Sequence, residues 1–360
     1  MRPFLIAGLC LMASLVSTPD VSPQIVRRVE NLPDRLHWWI VSTDGKQVFA
    51  FGARVLQEEL PQTDVFTIDV DRNPPYSGVE IDPSTESVVN THQIQEVFLP
   101  FRNAAYFKAL WGGESVWLTR DYDFWQVVGD RIYALPPRAR DSEDRRRWKS
   151  IHIIDRETRQ VLHVVEIRDA LIKAGFPEDE VEWRPKYITA MRVSPDQKLL
   201  ITGHSGMIVV WSIPDLELLF HRAYDSDREV SAIECSPNGR LVYALVYARG
   251  LLVLNLQSKE FEEWSLKAGT GVPQDFGMSR QRPVDMWADW QGGEVFFALR
   301  YGGAQGAVAA LDVSKRRVVR TLQLSRGACS SVCVVGNKLF AGCLDGIYVI
   351  DIDAWRKNAR

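Results

Sequence analysis

A short element recurs along the chain: an apolar strand that ends in a polar residue just before a tight turn. Four or five apolar residues bounded by turn signals are typical of short strands, and long helical periodicity is almost absent. The sequence therefore predicts an all-β chain built from repeats. Six copies of the element are found, at residues 65–69, 151–155, 208–212, 251–255, 308–312 and 347–351.

The spacing of these strands gives the size of the repeat. Counted between their last residues, successive copies lie 86, 57, 43, 57 and 39 residues apart. The first interval is twice 43, so one more copy is expected between Asp69 and Asp155. Turn residues recur upstream of the strands, as in 194–196 and 236–239, because chain reversals need a positive or preset φ. A period of roughly 40 to 50 residues with four short strands is typical of a β-propeller, with seven blades preferred and six as the alternative.

Two segments resemble blades of a known family. Residues 191–211 and residues 344–351 look like blades of the WD40 and YVTN type of propeller, and Trp211-Ser212 stands where WD40 blades have Trp-Asp. The resemblance is clearest over residues 187–353. It implies a propeller fold and does not imply an activity.

The two ends of the chain suggest how such a ring would close. The last repeat supplies only three strands, near residues 329–335, 338–343 and 346–352. Residues 24–29 have no repeat of their own, so we expect them to pair beside residues 347–352 and complete the last blade. Closure removes exposed sheet edges, which otherwise invite aggregation. Residues 22–355 are thus predicted to form a single propeller domain.

The first residues have the layout of a secretory signal. Arg2 precedes an apolar stretch over residues 4–16, which is followed by small and polar residues. This stretch is shorter than the ~20 residues that a spanning helix needs. We interpret residues 1–18 as a signal peptide cut near Ser17 or Thr18, which predicts a secreted or periplasmic protein without an integral membrane segment. An uncleaved end anchored at a membrane is the alternative.

Four cysteines remain after the predicted cleavage, and three of them fall in one predicted hairpin. A turn centred on Gly336-Asn337 places Cys343 opposite Ser330, and Cys329 then points to the other face. Buried free thiols are therefore expected, because cysteine is a normal small core residue. A register shift of one residue would instead place Cys329 across from Cys343 and allow a disulfide.

Charge and motifs exclude several functions. The chain has 43 basic and 46 acidic side chains and a net charge of −3, which makes nucleic-acid binding or membrane coating by a broad basic surface unlikely. None of its six histidines stands at metal-ligand spacing to another. The segment Gly203-His204-Ser205-Gly206 is predicted to be a hairpin turn and not a nucleophile elbow. No catalytic residue, metal ligand or cofactor is therefore predicted, although catalysis is left open.

Aspartates end several of the repeated strands and could be mistaken for a metal cluster. Asp69, Asp155, Asp312 and Asp351 recur about once per repeat, which would spread them around the ring. We expect each of them to bind the backbone of the turn that follows.

The long connections are expected at one end of the sheets. In a four-stranded meander, the first and third turns share one end, which we call the lower end, and the second turn and the crossing to the next sheet share the upper end. Long segments at residues 52–64, 136–149, 168–186 and 267–283 fall at the upper end. The one long candidate at the lower end is 72–91.

The upper end is the candidate binding face, because long loops often carry function. Its aromatic, Met and Arg side chains have the character of interface anchors. Packing of these side chains onto their own loops is the alternative. A short helix predicted over residues 169–175 could dock a partner or cap the ring. The charged stretch 138–149 is interpreted as a solvated loop, with contact to an anionic partner as the alternative. The candidate binding residues are Trp148, Trp183, Phe276, Met278, Arg280 and Arg282.

The resulting hypothesis is an exported, non-catalytic β-propeller that binds a protein or another macromolecule. One alternative is the noncatalytic large subunit of an amine-dehydrogenase-like redox complex, which exported YVTN-type propellers resemble. Another is a metal-dependent propeller hydrolase of the lactonase kind. Ionisable groups from four or more blades meeting at the mouth of the channel would favour catalysis.

Overall fold

The computed structural model describes residues 25–33, 38–43, 45–53, 76–94, 124–136, 149–181, 188–224, 228–246, 250–264, 266, 281–301, 306–325 and 327–358. These residues form 24 strands and three short helices. The strands make six antiparallel sheets of four strands each, so the chain is all-β as predicted.

Five of the sheets follow the chain in order, each a simple meander. Sheet 1 contains β2 (Trp38–Thr43), β3 (Val48–Ala53), β4 (Tyr76–Asp82) and β5 (Ser87–Ile94). Sheet 2 contains β6 (Phe124–Val128), β7 (Arg131–Leu135), β8 (Ser150–Asp155) and β9 (Val161–Glu166). Sheet 3 contains β10 (Ile188–Val193), β11 (Leu199–His204), β12 (Met207–Ser212) and β13 (Leu218–Ala223). Sheet 4 contains β14 (Val230–Cys235), β15 (Leu241–Val246), β16 (Gly250–Asn255) and β17 (Glu260–Trp264). Sheet 5 contains β18 (Gln281–Asp289), β19 (Glu294–Tyr301), β20 (Gly306–Asp312) and β21 (Arg317–Ser325).

Sheet 6 combines the two ends of the chain. Its inner three strands are β22 (Cys329–Val335), β23 (Lys338–Cys343) and β24 (Gly346–Asp351), and its outer strand is β1 (Val26–Arg28). Val26 lies opposite Ile350, and the amide of Val29 donates to the carbonyl of Ile347 at 2.9 Å. The predicted pairing of the first strand with the last repeat is confirmed.

The repeat is confirmed as a four-stranded meander, with one correction in sheet 1. The predicted long connection at 72–91 is wrong, because β4 and β5 occupy most of it and only a short turn at 83–86 joins them. The expected strand at 65–69 lies outside the described residues. Within the described residues there are six sheets, the smaller of the two blade numbers considered.

The core lies between neighbouring sheets. Five apolar clusters join sheets 2 and 3, 3 and 4, 4 and 5, 5 and 6, and 6 and 1. Trp211 is fully buried in the first of them and Phe340 in the last. Each fully buried side chain of this size contributes roughly 1.5–3 kcal/mol, so these clusters stabilise the stacking of neighbouring sheets. Gly203 shows how closely they approach, since a Cβ there would lie 2.5 Å from the Cβ of Val230 in the next sheet.

The strand-end aspartates bind the turns that follow them. Asp155 Oδ1 accepts from the amide of Thr158 at 2.6 Å, Asp312 Oδ1 from that of Lys315 at 3.0 Å, and Asp351 Oδ1 from that of Ala354 at 2.9 Å. The prediction of a turn-forming role is confirmed for Asp155 and Asp312. Asp351 instead caps the first turn of the helix at Ile352–Asn358, and Asp69 lies outside the described residues.

The cysteine hairpin differs from the preferred expectation. Ser331 pairs with Gly342 and Val335 with Lys338, as the predicted turn requires. The register then shifts by one residue, so that Cys329 lies opposite Cys343 and forms a disulfide with it. The expectation of free thiols at these two positions is wrong, because a β-bulge supplies the shift. Cys235 and Cys333 are free and buried.

Candidate functional site

Most of the predicted binding residues cannot be placed. Trp148, Trp183, Phe276, Met278 and Arg280 lie outside the described residues. Arg282 belongs to β18, where it pairs with Arg300, and its side chain is not among those described. Their role in binding therefore stays a prediction.

The two ends of the sheets differ in the length of their connections. At the lower end, the turns are short throughout the described chain, as at 194–198, 236–240 and 313–316. At the upper end, the lengths vary: the connections at 205–206 and 344–345 have two residues each, whereas others are much longer. The longest of these span residues 54–75, 95–123, 136–149, 167–187 and 265–280.

Two helices at the upper end pack onto the sheets. Helix α1 (Ile167–Lys173) follows β9 directly, and Gly175 beyond it has a φ of +87°, a left-handed conformation that ends helices without a steric penalty. Helix α2 (Glu178–Val181) comes next. Ile167, Leu171 and Val181 are buried in the cluster between sheets 2 and 3. The predicted helix is confirmed, and its apolar face covers this cluster.

Each sheet contributes one strand to the wall of a small cavity of about 80 Å³. These strands, which we call the first strands, are β2, β6, β10, β14, β18 and, in sheet 6, β22. Main-chain and apolar groups form part of its wall, together with polar side chains from five of the sheets. These polar side chains are Gln126, Thr189, Arg192, Ser231, Glu234, Asp285 and Ser331.

Arg192 and Glu234 form an ion pair in this wall. Arg192 Nη2 lies 3.0 Å from Glu234 Oε2 and donates a hydrogen bond to it. The side chain of Glu234 is only 11% exposed, whereas that of Arg192 is 41% exposed. Burial raises the pKa of the Glu234 carboxyl, and the Arg192 charge only partly offsets this effect. The charged form of Glu234 is therefore stabilised by its partner far more than the charged form of Arg192 is.

Other polar groups of the wall bind neighbouring strands. Asp285 Oδ2 in sheet 5 accepts from the amide of Val332 in sheet 6 at 3.1 Å. Ser331 Oγ in sheet 6 accepts from the amide of Val41 in sheet 1 at 2.7 Å. Such bonds join first strands that would otherwise face each other only through side-chain packing.

Sequence reasoning missed these wall residues, although a signal was present. Arg192 and Glu234 each stand two residues before a Ser-Pro turn, at Ser194 and Ser236. Each is the one charged residue of its inner strand, β10 or β14. Among the described residues that line the cavity, these two and Asp285 bring ionisable groups from three sheets.

No group of three or more His, Cys, Asp or Glu side chains in the described part of the chain is placed to hold a metal ion. Among the same residues, no helix combines the length and apolarity needed to cross a membrane.

No family model matches the chain, and no curated protein is similar to it in sequence. Solved structures with some similarity include three proteins of different origin. The β-propeller domain of Cps50 (Swd1) from Myceliophteria thermophila has 13% identity and a TM-score of 0.45, over 61% of this chain and 62% of that one. Hydrazine synthase from Kuenenia stuttgartiensis has 15% identity and a TM-score of 0.43, over 60% of this chain and 53% of that one. The computationally designed protein Ika8 has 13% identity and a TM-score of 0.43, over 87% of this chain and 70% of that one.

This chain covers less than two thirds of the first two of these proteins. The TM-scores are below 0.5, so the description of the fold rests on the sheets of the chain itself.

Proposed function

We propose that this protein is an exported β-propeller that binds a protein or another macromolecule through its upper end and catalyses no reaction. The observation that carries the proposal is the one-sided distribution of long connections. Long loops are costly to order and often carry function when a rigid scaffold presents them. The short lower turns lack the length to form a comparable surface.

We also propose that the six sheets are the blades of a closed ring. The first strands of all six sheets touch one cavity, as expected if the sheets are blades around a common axis. The apolar clusters that join sheets 2 through 6, and sheet 6 to sheet 1, support the same arrangement. In it, β1 completes the sixth blade and closes the ring.

The cavity supports a structural role more than a catalytic one. Its volume of about 80 Å³ is small beside the roughly 300–1,000 Å³ of typical ligand pockets. Its charged side chains bind each other or the backbone of a neighbouring strand, as Arg192, Glu234 and Asp285 do. Groups committed to such bonds are poorly suited to bind a substrate.

Export is supported by the signal-like layout of residues 1–18 and by the disulfide between Cys329 and Cys343. Disulfides form and persist in oxidising compartments and are rare in the cytosol. The mature protein is therefore proposed to act in the periplasm or outside the cell.

Affinity capture with matched variants tests the proposed binding face. The bait is the mature protein, compared with a Trp148→Ala and Trp183→Ala double variant and with a Gln257→Ala variant in a lower turn. We expect one partner to be retained by the wild type and by Gln257→Ala and to be lost from the double variant, with all three baits equally stable.

Two outcomes would contradict the proposal. A partner retained equally by all three baits would show that these upper residues do not bind it. Capture of a small chain carrying a redox cofactor would instead favour the amine-dehydrogenase-like alternative.

A further inference from the structure

The turn after β14, at residues 236–241, is held by the side chains of a serine and an asparagine. Ser236 Oγ donates to Asn238 Oδ1 at 2.7 Å, and the amide of Arg240 donates to the same oxygen at 3.0 Å. Ser236 Oγ also accepts from the amide of Leu241 at 2.9 Å. Nδ2 of Asn238 makes no hydrogen bond to any described residue. The turn therefore uses the oxygen of this side chain and not its nitrogen.

An aspartate occupies the corresponding position in the turn after β10. There, Ser194 Oγ donates to Asp196 Oδ1 at 2.6 Å, and the amide of Lys198 donates to the same oxygen at 3.2 Å. The hydrogen bond from Ser194 holds the pKa of the Asp196 carboxyl below its ordinary value, so this turn contains a charged carboxylate near neutral pH. A carboxylate thus supplies the same two hydrogen bonds that the amide oxygen of Asn238 supplies in the next sheet.

Asn238 is also the one asparagine of the chain that a glycine follows. Because Gly239 has no side chain, its amide nitrogen is not shielded from Cγ of Asn238. When this nitrogen bonds to Cγ, the bond between Cγ and Nδ2 breaks, and Nδ2 leaves as ammonia with the proton of the Gly239 amide. Water then opens the cyclic imide to aspartate or to isoaspartate. Neither step needs a partner other than water.

The closed turn restrains this reaction. The amide of Gly239 donates to the carbonyl of Ser236 at 2.9 Å, and Asn238 Oδ1 is held by its two donors. Both restraints must be released before the nitrogen can reach Cγ. Asn238 is exposed at the lower end of sheet 4, and exposed turns open locally more often than the strands they join.

We propose that Asn238 is a deamidation site that reacts when its turn opens, and that the aspartate formed restores the turn. In the aspartate form, the Ser236 hydroxyl and the Arg240 amide keep their acceptor, as the matching groups do around Asp196. Isoaspartate lengthens the main chain by one carbon and cannot present its carboxylate in this way. The reaction adds a negative charge to a lower turn and is independent of the partner proposed for the upper end.

Peptide mapping by mass spectrometry tests the site, with the mature protein incubated in mildly alkaline buffer with and without urea. Asn255 is the internal control, because its Oδ1 also accepts from turn amides but Leu256 follows it. We expect deamidation at Asn238 and none at Asn255, at a rate at least about tenfold higher in urea than in the folded protein. An unmodified Asn238 in urea, or equal rates in both states, would overturn the proposal.

Two variants test whether the turn accepts the product. Asn238→Asp has the side chain that deamidation forms, whereas Asn238→Leu leaves the Ser236 hydroxyl and the Arg240 amide without their acceptor. We expect Asn238→Asp to unfold at the same urea concentration as the wild type and Asn238→Leu to unfold at a lower one. If both variants unfolded at the same lower urea concentration, the aspartate would not restore the turn and the proposal would be wrong.

Gly239→Gln separates the Asn-Gly pair from the rest of the turn. It copies Gln197, which follows Asp196 and has a φ of +59° beside the +65° of Gly239. We expect this variant to fold and to deamidate at Asn238 at least about tenfold more slowly than the wild type in urea, because the new side chain shields the amide nitrogen. An unchanged rate in urea would show that attack by this nitrogen is not the reaction.

Discussion

Lys338 Nζ lies 2.6 Å from Glu86 Oε1, so an ion pair joins the last sheet to the first. The same oxygen lies 2.5 Å from Nη2 of Arg27 on β1. Glu86 thus binds both the strand that completes sheet 6 and the hairpin that follows β22. Its side chain is largely shielded from solvent, which reduces the screening that weakens exposed pairs.

We expect Glu86→Gln to reduce the free energy of unfolding by about 1 kcal/mol and to speed hydrogen exchange in β1. Urea unfolding and hydrogen exchange read by mass spectrometry measure the two effects. Glu262→Gln is the control, because Glu262 pairs with Arg316 at an exposed position and its loss should change little. Equal effects of both substitutions would show that Glu86 does not hold the first strand.

The disulfide between Cys329 and Cys343 should add stability by restricting the unfolded chain. The two residues are 14 positions apart, and closing a loop of about this length contributes roughly 3 kcal/mol. We expect the double variant Cys329→Ala and Cys343→Ala to lose about that amount, measured by urea unfolding. Cys333→Ala, which removes a buried free thiol from the same strand, should lose less.

Alkylation of the exported protein tests the pairing directly. In the unfolded but unreduced mature chain, we expect Cys235 and Cys333 to be modified and Cys329 and Cys343 to be protected. Modification of all four cysteines would contradict both the disulfide and the export proposal that it supports.

Local chemistry explains which features the sequence could predict. The turn after β14 was predictable because its own residues supply its hydrogen bonds and its backbone geometry. Ser236 Oγ accepts from the amide of Leu241 at 2.9 Å, and Gly239 supplies a φ of +65°. The repeated strands ending in Asp155 and Asp312 were predictable for the same reason, since each aspartate binds its own turn.

Features that depend on distant parts of the chain could not be predicted in this way. The bulge beside Cys329 occurs where Ser330 Oγ donates to the carbonyl of Trp39, almost the whole chain away. The cavity likewise depends on how six inner strands converge, which no local pattern of Arg192 or Glu234 reveals. In sheet 1, β4 was missed because its sequence lacks a continuous apolar run.

Substituting Arg192 and substituting Glu234, the two residues of the ion pair in the cavity wall, should lower the free energy of unfolding by different amounts. Arg192→Met leaves the buried carboxylate of Glu234 without its partner, and we expect a loss of roughly 2 kcal/mol near neutral pH. Glu234→Gln leaves Arg192, which is well hydrated, and should change stability by less than about 1 kcal/mol. Urea unfolding of both variants measures this difference. Equal losses would contradict the unequal burial of the two side chains.

The Arg192→Met variant should also show a characteristic pH dependence. The pKa of Glu234 is already raised by burial in the wild type, and loss of Arg192 raises this pKa further. At a pH below the pKa of an unfolded glutamate, both states are protonated and the group has no effect. Above it, the unfolded state ionises first, so stability falls as pH rises until the pKa of the folded state is passed. We expect urea unfolding to show a deficit of Arg192→Met that grows as the pH rises above the pKa of an unfolded glutamate, about 4.3.

The C-terminal helix α3 (Ile352–Asn358) should be held by a buried carboxylate. Arg356 Nη2 lies 3.0 Å from Oε2 of Glu294 and 3.2 Å from Oδ2 of Asp289, and Arg320 binds the other oxygen of Glu294. Glu294, the first residue of β19 in sheet 5, is buried. Removing one of its two cationic partners therefore leaves a poorly solvated charge.

We expect Arg356→Ala to lower the free energy of unfolding by roughly 2 kcal/mol and to expose the helix amides to faster hydrogen exchange. Lys357→Ala is the matched control, since Lys357 is an exposed neighbour on the same helix and its removal should leave both readouts unchanged. If Arg356→Ala behaved like Lys357→Ala, the helix would be held by the packing of Trp355 on Phe296 alone, and Trp355→Ala would then carry the whole loss of stability.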